Sequence, residues 1–140
     1  MTDIMDWEEC KRKFIKQVEP DGYRIKAIEE KAMSRLKRAK NTKINQENVS
    51  LVVEDYYEVI KELLVAYLLK NGLRSKNHQC LISYFYIKNK VYEKESYLIS
   101  QMSFFRNRLN YYGEDIPAEF YEKNKKDFEK IISILKELIK

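Results

Sequence analysis

Glycine and proline are nearly missing from this chain, with three of the first and two of the second among 140 residues. Inside a helix a glycine costs about 1 kcal/mol relative to alanine and a proline about 3 kcal/mol. A chain this poor in both can sustain long uninterrupted helices, and a fold of many short strands joined by turns is excluded. Histidine is rarer still: His78 stands alone, and the two cysteines, Cys10 and Cys80, lie far apart without a CxxC pair. A four-ligand zinc site of the Cys/His type therefore cannot be assembled from one copy. Both cysteines are expected to be reduced, as in a cytosolic protein. The N-terminus lacks the apolar run of a signal peptide, and the longest apolar stretch, around Leu63 to Leu69, is too short to span a bilayer. The expectation is a cytoplasmic protein without a membrane segment. No Gly-rich phosphate loop, G-x-S-x-G elbow or HExxH pair occurs, so kinase, serine-hydrolase and zincin chemistry have no residues to stand on. Neither a metal nor a cofactor is expected.

What is present is apolar and charged. Hydrophobic residues make up 44%, aromatics 13% and charged residues 35%, with a net charge of +5 and a pI near 9.0. A domain of this length buries roughly 68–70% of its extended-chain surface, enough for one core without staples. The mixed charges suit solvated helix faces better than disorder, and a Lys/Glu-rich makeup is also found in thermophile proteins. Cations cluster at Lys11, Arg12, Lys13 and Lys16, and again at Arg35, Lys37, Arg38, Lys40 and Lys43. Two readings stay open for them: solvated faces of amphipathic helices, or a surface for a polyanion.

Periodicity predicts six helices. The first is capped by Asp3 and runs to about Gln17, with Ile4, Trp7, Cys10, Phe14 and Ile15 on one face. Pro20 and Gly22 mark a turn. A second, peripheral helix starts at Pro20 or Asp21 and reaches about Lys40 on a thin apolar face, Ile25, Ile28, Ala32, Met33, Leu36 and Ala39. Asn45 caps a central helix over about 46–71, whose wide stripe from Val49 to Leu68 requires more than one packing partner, and Gly72 stops it. Ser75 or Asn77 caps a helix over about 78–89. A fifth covers about 93–111 and stops near Gly113, and Pro117 opens a last one to Lys140. No convincing strand is found. The predicted architecture is all-α, an up-down helical bundle with one or two additional helices, in a single domain over 1–140. Residues 1–44 supply the N-terminal helices and 45–140 the bundle core.

The chemistry concentrates at the end of the fifth helix, in Arg106, Asn107, Arg108, Leu109, Asn110, Tyr111, Tyr112 and Gly113. Arg106 and Asn110 are four apart, as are Asn107 and Tyr111, so each pair shares a strip of the helix. A guanidinium forks onto phosphate, and a carboxamide both donates and accepts, so the patch suits phosphate and base edges. The plainer reading is that Arg106 and Asn107 tie down the helix terminus. Tyr111 and Tyr112 can stack bases or serve as interface rings. Glu54, Asp55 and Glu58 on the central helix, the first and last four apart on one face, could do acid–base or metal work. A solvated face, or a salt bridge to Arg106 or Arg108, is the simpler assignment. His78, near a helix N-terminus whose dipole disfavours its charged form, is either a capping residue or an acid–base group beside Arg106.

Arg106 with Asn107, followed by Leu109 and the ring of Tyr111, resembles the signature of the HEPN family, in which an Arg, four intervening residues and a His close a helix. The run from Tyr56 and Tyr57 through Leu68, Leu69, Gly72, His78 and Leu81 to Phe85 also resembles a HEPN helix pair, and the likeness covers roughly 45–140. The resemblance implies a bundle that dimerises with its Arg motifs at a shared cleft. In active members the Arg and His form a metal-independent RNase, often the toxin partner of a minimal nucleotidyltransferase. Arg106 matches the motif Arg and Asn107 the polar residue after it, while Tyr111 stands where the motif has His. A tyrosine with a pKa of about 10 is a poor proton shuttle at neutral pH, so binding can survive the change while catalysis by this pair is weakened. The expected function is a dimeric module that binds nucleic acid or nucleotide through Arg106, Asn107, Arg108, Asn110 and Tyr111, with a nucleotidyltransferase as a further partner. The alternatives are a weak RNase using Arg106 with Tyr111 or His78, and a non-catalytic helical adaptor.

Overall fold

The computed structural model describes residues 3–140, and over that span the chain is an all-α bundle. Its helices are α1 (Trp7–Lys13), α2 (Gly22–Asn41), α3 (Val49–Lys70), α4 (His78–Lys88), α5 (Glu93–Tyr112) and α6 (Ala118–Ile139). A 3₁₀ turn, Lys90–Tyr92, leads into α5. All six helices expected from periodicity are present.

The core sits around α3. Fourteen of its 22 residues are buried, among them Val52, Tyr56, Tyr57, Ile60, Leu63, Leu64, Tyr67 and Leu68, so its apolar surface is a wide band that leaves one half-buried strip of Glu54, Asp55, Glu58, Lys61 and Glu62. Helices α2, α4, α5 and α6 all pack on it. Truncating a buried leucine or isoleucine in such a setting costs about 2–5 kcal/mol. The outer helices are amphipathic in proportion. Helix α6 buries Phe120, Phe128, Ile131, Ile132 and Leu135, while α2 fully buries only Ala32 and Ala39. Its thin apolar face is supplemented by ion pairs: Arg35 Nε meets Glu62 Oε1 at 2.9 Å, Arg38 Nη2 meets Asp55 Oδ1 at 2.8 Å, and Lys40 Nζ meets Glu129 Oε1 at 3.4 Å. Much of the second basic cluster is thereby spent on holding α2 to α3 and α6.

Helix ends follow local chemistry. Asp21 caps α2 by accepting from the Arg24 amide at 3.1 Å, and Asn77 caps α4 by accepting from the Gln79 amide at 2.9 Å. Asn45 acts one turn earlier than a helix cap: its Oδ1 accepts from the amides of Glu47 and Asn48 in a turn that delivers the chain to Val49. Gly113 ends α5 with φ +66°, and the Glu114 amide returns to the Arg108 carbonyl at 3.2 Å. The loop after α5 is tied to α3 where the Ile116 amide donates to the buried Ser50 hydroxyl at 2.7 Å.

Three expectations about the N-terminal region are corrected. Helix α1 is capped by Asp6, not Asp3, and stops at Lys13 instead of continuing to Gln17. Beyond it lies strand β1 (Lys16–Gln17), which pairs antiparallel with strand β2 (Leu73–Arg74), in the register Lys16 to Arg74 and Gln17 to Leu73. The Val18 amide also donates to the Gly72 carbonyl at 2.9 Å. Backbone pairing with a distant segment has overridden a weak helical period there. Gly72 permits it twice over: its φ is +76°, and a Cβ would meet the Val18 carbonyl at 3.2 Å. Third, Cys10 and Cys80 are not reduced but joined in a disulfide, with Cα atoms 5.5 Å apart and neither side chain exposed. Their distance in sequence hid the pairing, which arises because α1 lies on α4, with Trp7 against Tyr84 at 5.2 Å between ring centroids.

Closing a loop of about this length restricts the unfolded chain by an amount equivalent to about 4 kcal/mol. Urea unfolding with and without a reductant is expected to show a loss of that order on reduction. Far-UV circular dichroism should be unchanged before the transition, because the bundle around α3 does not need the link. An unchanged midpoint in fully reduced protein would show that the link carries no stability.

Candidate functional site

Helix α5 faces the core with small residues. Ser96, Ser100 and Ser103 are buried with Ile99 and Met102. Small side chains let α5 approach α3 and α4 closely, and Gln79 Nε2 of α4 donates to Ser103 Oγ at 2.9 Å. One turn further on is Arg106, whose side chain keeps only 21% of its surface exposed. Its Nη2 lies 3.4 Å from Glu58 Oε1 of α3, and its Nη1 lies 3.4 Å from Asn107 Oδ1. Both contacts are long, and the buried Nε has no hydrogen-bond partner. Glu58 is meanwhile held more closely by Lys61, Nζ to Oε2 at 2.6 Å. The charge balance of this cluster is two cations against one carboxylate.

His78, the first residue of α4, belongs to the same neighbourhood. Burial is the main cause holding its imidazole below the ordinary histidine range, and the charges of Lys61 and Arg106 add to it against an opposing pull from Glu58. Tyr57 is pushed up by burial, with Ser103 and the Arg106 charge pulling it back. Near neutral pH the cluster therefore holds a neutral imidazole and a neutral phenol beside a guanidinium with unused donor capacity.

The rest of the α5 end is separate. Arg108 is engaged with Glu114 through a two-pronged contact, Nε to Oε2 at 2.6 Å and Nη2 to Oε1 at 2.5 Å, and its guanidinium lies 4.9 Å from the Tyr112 ring centroid. That clamp closes the helix end around Gly113. Tyr111 is 74% exposed and, among the described residues, makes no side-chain hydrogen bond or ring contact. Asn110 is likewise exposed. Of the residues singled out by sequence, Arg106, Asn107 and His78 come together, while Arg108, Asn110 and Tyr111 line the outer tip. The salt bridge from Glu58 to Arg106 is present as one of the readings required, whereas Asp55 goes to Arg38. Lys61, Tyr57, Gln79 and Ser103 were not singled out. Only the three-residue spacing of Glu58 and Lys61 hinted at one of them.

Comparison of the chain with protein-family models, with curated proteins and with solved structures finds no match.

The His78 environment has a pH consequence. A histidine whose folded pKa is lowered binds fewer protons folded than unfolded, so its stabilising share is present above about pH 6.5 and is lost as the pH falls below that value. Titration of the imidazole by NMR is expected to give a value below the ordinary one. It should go lower still in Glu58→Gln and recover in Lys61→Met. A wild-type value at or above the ordinary one would remove His78 from the Arg106 neighbourhood.

Proposed function

We propose that this chain is a HEPN-like module that binds single-stranded RNA, or a nucleotide, through the Arg106 cluster. The observation that carries the reading is the unspent guanidinium: a mostly buried Arg106 whose Nε has no partner and whose other contacts are long, beside Lys61 and a single shared carboxylate. Buried polar groups normally find partners, and a net-positive cluster whose Nη contacts are both 3.4 Å is completed by an anion that reaches those Nη groups, Nε itself being shielded from solvent. A phosphodiester oxygen meets that need, with Asn107 available for a base edge or a second phosphate oxygen. A helical adaptor needs no such arrangement.

A weak metal-independent RNase is the second reading, and one observation favours it. The neutral His78 beside Arg106 and Lys61 is the proton acceptor that Tyr111, exposed at the tip, is poorly placed to be. In this reading His78 takes the proton from the 2′-hydroxyl as its oxygen attacks phosphorus, the P–O5′ bond breaks to leave a 2′,3′-cyclic phosphate, the leaving 5′-oxygen takes a proton from water, and Arg106 and Lys61 hold the phosphate. In this reading the protein acts in the cytoplasm, with a minimal nucleotidyltransferase as its partner. A buried disulfide there has precedent in the intracellular proteins of hyperthermophiles, in keeping with the Lys/Glu-rich composition. No helix is long and apolar enough to cross a membrane among the described residues.

The proposal includes a homodimer. Helices α5 and α6 both pack on α3. They meet each other through Phe105 on Phe120, 4.7 Å between ring centroids, and Lys130 on Glu95 at 3.0 Å. Beside these contacts lies a groove of about 510 Å³ lined by Tyr97, Leu98, Phe104 and Phe105 together with charged residues of both helices. Exposed Tyr111 and Tyr112 extend this aromatic surface to the helix tip. A second copy seated there would bring two α5 ends together. Sedimentation equilibrium at micromolar concentration is expected to give twice 17.0 kDa, and Phe104→Glu should return the protein to monomer. A wild-type monomer under those conditions would remove the dimer.

The binding proposal is tested with a labelled single-stranded RNA, followed for anisotropy and for cleavage. Affinity should fall with salt, by roughly 0.7 in log–log slope for each phosphate neutralised on a single strand, and Arg106→Ala should weaken it about tenfold. Any cleavage should be slow, should be lost in His78→Ala, and should be unaffected by Tyr111→Phe. The family resemblance adds that Tyr111→His raises it. Salt-independent affinity, or wild-type affinity in Arg106→Ala, would refute the assignment of this cluster.

A further inference from the structure

Arg35, Arg38 and Lys40 of α2 each face an acid, but the cations around the short ribbon do not. Among the described residues, Lys16, Arg74 and Lys76 form no ion pair, and Lys13 has only the exposed Glu9 at 3.5 Å. Lys16 stands directly opposite Arg74 in the antiparallel register. Residues opposite one another on such a pair project on the same face, and like charges there repel. The ribbon is only two residues wide on each side, so little pairing energy is available to offset that repulsion. Four cations, Lys13, Lys16, Arg74 and Lys76, are thus gathered at one place, with the Lys13–Glu9 contact as their one ion pair among the described residues.

That place is concave. A pocket of about 270 Å³ lies between the end of α1, the ribbon and the lead-in to α4, with the four cations around it and Ser75 and Asn77 on its wall. Phe14 forms another side, 41% exposed and, among the described residues, without a ring partner. The walls are held in register by the disulfide: Lys13 and Phe14 follow Cys10 by three and four positions, and Lys76 precedes Cys80 by four. The positive end of the α4 dipole adds to the potential.

We propose that this pocket is a second phosphate subsite for single-stranded nucleic acid, with a base stacked on Phe14. Cations that track a backbone beside an open aromatic face are what single strands need, and a lipid headgroup or free phosphate would have no use for the ring. The pocket adjoins the first cluster through α4, since Asn77 is on its wall and the next residue, His78, senses Arg106. One strand can cross both. The inference rests on the nucleic-acid reading for the class of ligand, not for the residues.

The experiment measures anisotropy of a labelled oligouridylate over a salt series for wild type, the double variant Lys16→Ala/Arg74→Ala, Phe14→Ala and Arg106→Ala. Two lost phosphate contacts should lower the salt slope of the double variant by about 1.4 and weaken low-salt binding tenfold or more. Phe14→Ala should weaken binding severalfold with the slope unchanged, because stacking releases no counterions. Removing two like charges should leave the thermal midpoint of the double variant unchanged or raised, and a fall in it would assign the pair a structural role and overturn the proposal. Wild-type affinity and slope in the double variant, with Arg106→Ala weakened, would overturn the subsite and leave the Arg106 cluster standing. The reverse pattern would uphold the subsite and remove the cluster. Inorganic phosphate and phosphatidylserine vesicles are the other arms: loss of vesicle binding in the double variant without any oligouridylate binding by wild type would assign the pocket to a membrane surface instead.

Discussion

The structure depends on burying the wide apolar band of α3. A helix with Tyr56 and Tyr57 as well as Ile60, Leu63 and Leu64 removed from water keeps only a narrow half-buried polar strip, so several helices must cover it. Hydrophobic burial is non-directional and scales with area, and it fixes which helices lie against α3 without fixing how tightly they lie against one another. The bundle therefore has a firm centre and loose seams. One seam is the groove between α5 and α6, and another is the ribbon side, where α1 reaches the bundle through α4.

The same constraint decides where charge can go. Glu58 is on a helix that offers almost no solvent, and its carboxylate must be neutralised where it stands. Lys61 from its own helix and Arg106 from α5 do so. A partly buried carboxylate between two cations leaves a positive residue of charge, and Arg106 cannot turn fully to Glu58 without leaving Asn107. Surface ion pairs are worth little individually, so the pairs that hold α2 add register rather than much stability. They do remove three cations from any role in binding, which is why the α2 cluster and the ribbon cluster, alike as sequence, differ as surfaces.

Much of this was legible in the sequence, and the larger exceptions share one cause. Helix number, the stops at Gly72 and Gly113, the cap at Asn77 and the need of the central helix for more than one partner all follow from local rules, and each is found, while the cap expected at Asn45 falls three residues later. The extent of α1, the ribbon and the disulfide do not follow from such rules. Each is set by a contact between the N-terminal segment and residues about 60 to 70 positions away, where backbone pairing and thiol proximity outweigh local propensity. Within the site, Arg106, Asn107 and His78 could be named from residue type. That Arg108 would be consumed by Glu114 could not, because the six-residue reach across Gly113 depends on the turn that glycine makes.

The short α4 lead-in joins these threads. Its first residues must satisfy free amides, which Asn77 and Ser75 do locally. They must also follow a glycine stop and a strand within a few positions, which leaves His78 pinned against α3 and α5 at one end of a taut connection. Cys80, two residues on, then fastens α1 to the same turn. The linkage that holds the N-terminal segment thus sits two residues from His78, so that the α1 wall of the cationic pocket is tied covalently to the helix that carries the histidine rather than left to loop entropy.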